Sequence, residues 1–181
     1  MTAAVVFSLM IASAAFGQQK NEFQVFASNP FVGYSSSTGT ETSAGLGLAY
    51  KRVITPKFSA QIGVTTEHHN TYPYVVNPDG SFRDVNSVGF HTYPIDLTAR
   101  YDFVNETRWL PYLGAGVRYV GAPNVDQAFG YKNHLGMELT GGTEFRITHS
   151  FGLVLDGKVY FGSHEAYDEN WKPSLGVLWR F

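Results

Sequence analysis

Ser150-Phe151-Gly152-Leu153-Val154-Leu155-Asp156-Gly157-Lys158-Val159-Tyr160-Phe161-Gly162 alternates at every step. Phe151, Leu153, Leu155, Gly157, Val159 and Phe161 fall on one face. Ser150, Gly152, Val154, Asp156, Lys158 and Tyr160 fall on the other. Successive side chains of a strand point to opposite sides, so this period of two predicts a strand with one apolar and one mixed polar face. The stretch is far longer than the usual strand of about 5–6 residues. It matches the tilted strand of roughly 9–11 residues that a bilayer demands.

Working outward, the same template fits 22–34, 43–53, 57–68, 88–103, 109–121, 133–147, 150–162 and 171–181. No segment keeps a helical period over 11 residues. The connections alternate in length. Segments 54–56, 104–108 and 148–149 are tight, whereas 35–42, 69–87, 122–132 and 163–170 are longer and polar, with an Asn77-Pro78-Asp79-Gly80 turn inside the second. Short turns at one end and long loops at the other mark an outer-membrane meander. The expected fold is therefore all-β: an eight-stranded antiparallel up-and-down transmembrane β-barrel over residues 20–181.

Composition agrees. The 181-residue chain has 15% charged residues, 15% aromatics, 19 glycines and a formal charge of −2. Charge is sparse beside the roughly 25% of soluble domains. The balance gives no basic surface for nucleic acid, and the apolar content argues against disorder. Without cysteine there is no disulfide framework, zinc-thiolate site or thiol nucleophile. Residues 1–19 carry no charge. An apolar run from Val5 to Ile11 precedes the small-residue stretch Ala12-Ser13-Ala14-Ala15-Phe16-Gly17, which reads as a secretory signal peptide. Its basic start is missing, so the true start is expected to lie further upstream.

Alternation alone leaves open which face is outside. Three features point to an inverted barrel with its polar face inward. Both charge signs share that face: Glu67, Asp96, Asp102, Glu138, Glu144 and Asp156 against Lys51, Arg100, Arg118, Arg146, Lys158 and Arg180. A narrow lumen needs such pairing, because an unpaired buried charge costs several kcal/mol. Glycines crowd the same face (Gly45, Gly47, Gly63, Gly114, Gly116, Gly142, Gly152, Gly176), giving long neighbouring side chains room. Aromatics on the apolar face gather near the short turns: Phe23, Tyr50, Phe58, Tyr101, Phe103, Trp109, Phe145, Phe151, Trp179 and Phe181. That is the pattern of an aromatic girdle. The expected lumen charge network comprises Asp96, Arg100, Arg118, Glu138, Glu144, Arg146, Asp156 and Lys158. Gln61, Tyr112 and Tyr160 also point in, so the lumen is expected to be plugged.

The terminal Leu175-Gly176-Val177-Leu178-Trp179-Arg180-Phe181 resembles the C-terminal signature of outer-membrane barrels. The resemblance implies that Val177, Trp179 and Phe181 form an assembly signal read by the barrel-assembly machinery. Thr92 to Phe103 followed by Leu110-Pro111-Tyr112-Leu113-Gly114-Ala115-Gly116-Val117 resembles the fourth and fifth strands of OmpW-type barrels. Thr140 to Ile147 leading into Phe151-Gly152-Leu153 resembles their sixth and seventh. The chain departs from that family in its short 122–132 segment and in a single Pro94 where Pro-Pro is commoner. The wider superfamily of small OmpW-type and OmpA/OmpX-like barrels covers it better. Outer-membrane lipids are the implied surroundings, and the bacterial outer membrane is the implied location.

Enzymatic and metal signals are weak. Of six histidines only His68 and His69 are adjacent, and adjacent strand residues face opposite ways. Ser163-His164-Glu165 has triad residue types, but three consecutive residues do not hydrogen-bond in series. Barrel lipid A deacylases are similar in size and strand count, with a His-x-Ser pattern on a late strand. Here His149-Ser150 is adjacent, and Ala166 stands where His164 would need a serine. No cofactor and no metal are expected. The expected function is a non-enzymatic outer-membrane barrel with a side-chain-filled lumen, structural or interacting with a partner through its extracellular loops. The alternative is an OmpW-type channel for small hydrophobic molecules, and a lipid A-modifying hydrolase ranks third.

Overall fold

Two tight turns share one sequence device, Ile-Thr-x-x-Phe. In Ile54-Thr55-Pro56-Lys57-Phe58 the Thr55 hydroxyl oxygen accepts from the amides of Lys57 and Phe58, at 3.3 and 3.0 Å. In Ile147-Thr148-His149-Ser150-Phe151 the Thr148 hydroxyl accepts from Ser150 and Phe151 at the same distances. The isoleucine amide then donates to the phenylalanine carbonyl, at 2.9 and 3.1 Å. A threonine that captures its own turn in this way reverses the chain in few residues. Each turn therefore delivers the next strand antiparallel and adjacent.

The computed structural model describes residues 21–28, 33–35, 40–42, 44–71, 74–76, 82–84, 88–104, 106–121, 133–161 and 171–181. The signal-peptide segment, the Asn77–Gly80 turn, segments 122–132 and 163–170, and with them Ser163-His164-Glu165, lie outside the described residues. Eight long strands form the wall: β1 (Asn21–Ser28), β2 (Gly45–Val53), β3 (Phe58–Thr71), β4 (Val88–Asp102), β5 (Trp109–Gly121), β6 (His134–Arg146), β7 (Phe151–Phe161) and β8 (Trp171–Arg180). Each pairs antiparallel with its chain neighbours, and β1 pairs with β8, so the sheet closes. The seam also holds through Asn21 and Phe181, whose amides and carbonyls exchange two 2.9 Å hydrogen bonds. β3 runs three residues past the expected end. There it pairs with a short strand, Thr40–Thr42, which itself pairs with Gly33–Ser35. Tyr74–Val76 and Phe82–Asp84 form a separate small hairpin.

The ladder is interrupted at one place. β3 and β4 pair through Val64↔Ile95 and resume at Glu67↔Thr92, skipping Thr65-Thr66 and Tyr93-Pro94. Register is unchanged across the gap. Pro94 has no amide hydrogen to give, so the interruption follows from its chemistry.

Burial decides the orientation of the faces. Leu46, Leu97, Leu113, Leu139 and Leu155 are about half exposed or more, whereas Asp96, Arg100, Glu138 and Glu144 are almost fully buried. A soluble barrel would show the reverse. Apolar residues outside and charges inside place hydrocarbon around the wall.

Candidate functional site: the charged lumen

Inward parity on eight strands aims the polar side chains at one axis. They sort into two ion-pair clusters. The first lies at the short-turn end and is built on Glu144 of β6. Its Oε1 receives Lys51 Nζ and Arg100 Nη2, each at 2.7 Å, and its Oε2 receives Arg180 Nη2 at 2.7 Å. Arg180 Nε also reaches Glu22 Oε1 at 2.7 Å, while Lys51 Nζ lies 2.7 Å from Glu22 Oε2. Arg100 bonds Asp102 at 2.8 Å and Gln61 at 3.1 Å, and Ser59 donates to the second Asp102 oxygen at 2.8 Å. Three acids thus meet three bases.

The second cluster lies nearer the long loops. Arg118 Nη2 contacts both Glu67 oxygens, at 3.0 and 3.1 Å, and Lys172 also pairs with Glu67. Lys158 Nζ lies 2.6 Å from Asp96 Oδ2 and 3.7 Å from Glu138 Oε2. The Thr98 hydroxyl donates to the other Glu138 oxygen. Arg118 stacks over Tyr160, with its Cζ 4.0 Å from the ring centre. Again three acids, Glu67, Asp96 and Glu138, face three bases.

Tyr112, Val154 and Leu178 pack together beside the lower cluster, where Tyr112 is paired with Asp102 and Val154 with Glu144. Arg100 and Asp96, one from each cluster, are four residues apart on β4, about 13 Å at roughly 3.3 Å per residue. No ion pair between described residues joins the clusters. Arg100 rests its guanidinium on Tyr112, 3.5 Å from the ring centre, so the lower cluster packs directly on this apolar group.

Several expectations change in detail. The eight expected lumen charges do not form one network. Glu144 and Arg100 belong to the lower cluster, and Asp96, Arg118, Glu138 and Lys158 to the upper. Asp156 makes no ion pair among the described residues and is held by the Thr140 hydroxyl at 2.5 Å. Arg146 has inward parity but sits where β6 leaves the wall, so it is exposed at the mouth and has no carboxylate partner among the described residues. Glu22 and Lys172 were absent from the expected set. Parity from Gln24 and Arg180 places both inward, so the signal was present in the alternation. The glycines also make room for different groups than expected. A Cβ on Gly47 would fall 2.3 Å from the Phe26 ring, and one on Gly142 would fall 2.6 Å from the Tyr112 hydroxyl. Aromatic rings fill that space.

On the outer face the expected girdle residues form three groups of ring contacts at the short-turn end. Phe58 and Tyr101 meet edge to face at 5.2 Å and Tyr101 and Phe103 at 5.0 Å, while Trp109 and Phe145 are tilted at 4.6 Å. Phe151 stacks on Trp179 at 6.5 Å, and Trp179 contacts Phe181 at 5.4 Å. Tyr50 completes the series beside Phe23, donating its hydroxyl to Asn21 at 2.8 Å. Val177, Trp179 and Phe181 all face outward and are about half exposed. His68 and His91 form a cross-strand ring pair 4.6 Å apart. Among the described residues no group of three His, Asp or Glu side chains is arranged to hold a metal ion.

The fold and the inverted faces define the class: this is an eight-stranded bacterial outer-membrane β-barrel. Over 90 residues, 47% of the chain, it is 30% identical to an uncharacterized outer-membrane protein of Sinorhizobium fredii. That match spans 37% of the relative's length. The N-terminal β-barrel domain of Pseudomonas aeruginosa OprF is similar in fold, with a TM-score of 0.62 at 17% identity. That likeness covers 92% of this chain and all of the domain. The Pseudomonas aeruginosa outer-membrane protein OprG gives a TM-score of 0.62 at 14% identity, covering 90% of this chain and 96% of that one. No family model matches the sequence.

Proposed function

We propose that the chain is a non-enzymatic outer-membrane barrel whose lumen is closed by its own side chains, and that it acts structurally or through its long loops. The observation that carries this reading is the pair of balanced ion-pair clusters that fill the lumen, with Tyr112, Val154 and Leu178 packed beside the lower one. Residues such as Glu138, Glu144 and Leu178 are left at 1% exposure, which leaves little room for a water column. Eight strands give a lumen that side chains can just fill. In this reading the aromatic girdle anchors the wall in lipid, and the Val177, Trp179 and Phe181 face is what the assembly machinery reads. Planar-bilayer recording tests it: purified barrel should give no stable conductance step, and a reproducible open level would overturn it. Mass analysis of lipid A from expressing cells should show no change.

The ladder gap favours a second reading, an OmpW-type route for small hydrophobic molecules through the wall. Two missing rungs beside Pro94 weaken β3–β4 pairing where Tyr93 and Ile95 face lipid. Pro94→Val restores an amide donor. If the gap is a passage, this change lowers uptake of a small hydrophobic probe into barrel-containing vesicles; unchanged uptake removes the reading.

A further inference from the structure

The mouth at the short-turn end holds a cavity of about 420 Å³. Small-molecule sites occupy about 300–1,000 Å³. Short turns of such barrels face the periplasm, so this vestibule opens on that side. Its lining is of two chemical kinds. Val53, Ile54, Pro56, Val104 and Leu110 are apolar. Lys51, Arg146, His149 and Arg180 line it as well, together with the carboxylates of Glu22, Asp102 and Glu144.

The charges do not cancel to nothing. Glu22, Asp102 and Glu144 are already neutralised by Lys51, Arg100 and Arg180. Arg146 is left over, exposed and without a carboxylate partner among the described residues. Arg180 has spare donor capacity as well, since its Nη1 has no acceptor. A guanidinium with an open fork beside an apolar lining suits a planar oxyanion attached to a hydrocarbon body.

We propose that this vestibule binds an alkyl carboxylate, with the carboxylate on Arg146 and the chain against Val53, Ile54, Pro56, Val104 and Leu110. His149 also lines the cavity and can add a hydrogen bond. The proposal is independent of whether the lumen conducts, because the cavity lies at the short-turn mouth.

Octanoate is the probe, titrated against the full barrel in nanodiscs of zwitterionic lipid while backbone amide NMR shifts are followed. Saturable shifts are expected at residues 53–55, 104 and 146–149. Octanol, which lacks the charge, and acetate, which lacks the chain, should not reproduce them at equal concentration. Losing one charge-assisted contact should weaken the apparent Kd in Arg146→Gln by about tenfold or more. The variant should keep the wild-type spectrum, because Arg146 supports neither ion-pair cluster. The proposal is overturned if octanol gives the same shifts, if Arg146→Gln binds octanoate equally well, or if shifts appear only at lipid-facing amides such as Leu153 and Leu155, which would report membrane partition.

Discussion

Glu144→Ala is the most incisive perturbation of the lumen. Glu144 accepts from three cations at 2.7 Å, and its side chain is 2% exposed. Removing it leaves Lys51, Arg100 and Arg180 with only Glu22 and Asp102. A buried charge stripped of its partner costs about 3–5 kcal/mol, and burial this complete leaves little solvent screening to reduce that. Glu138→Ala should cost less, about 1–3 kcal/mol. Lys158 keeps Asp96 at 2.6 Å, and its distance to Glu138 is 3.7 Å, so the main casualty is the Thr98 hydrogen bond. The assay is urea unfolding of the barrel in lipid vesicles, followed by tryptophan fluorescence and gel mobility. The double variant tests the division into clusters. Sites without shared partners add to within about 0.5 kcal/mol, so the two losses should sum. A Glu144→Ala loss below about 0.5 kcal/mol would mean that Glu144 faces water and that the lumen is open. A coupling well above that threshold would mean that the clusters communicate through Tyr112.

Other outcomes are cheaper to obtain. Unboiled barrel in a mild detergent gel should migrate differently from boiled protein, and identical migration would contradict a closed sheet. Deleting Phe181 removes two backbone bonds to Asn21 at the seam. Its larger effect should be on insertion, read as loss of surface-exposed folded barrel at native expression; normal insertion would remove the assembly role. Leu155→Arg places a charge on the lipid-facing wall and should cost about 2–4 kcal/mol. Leu153→Arg, one step closer to the girdle beside Phe145, should cost less; near-neutral effects at both would mean that this face is solvated.

Much of the architecture was legible in the alternation. Strand positions, tight turns at one end and the parity that puts Asp96, Arg118, Glu138 and Lys158 on a common face all follow from a period of two. The inverted orientation was signalled by balanced charge on the glycine-rich face. The Ile-Thr-x-x-Phe turns were readable in the same way, because a threonine that bonds its own turn acts within four residues.

Partnership across the lumen was not legible. Parity names a face, but which inward groups meet depends on how the strands stagger when the sheet closes. Lys51 and Glu144 are 93 positions apart and sit on strands that are not neighbours, so closure alone brings them together. Closure likewise splits the charges into two clusters and leaves Arg146 at the mouth, because β6 ends where the wall does. It also fills the space over Gly47 and Gly142 with rings. Local chemistry determined the strands, their faces and their turns; long-range geometry decided which charges neutralise each other and which one was left available.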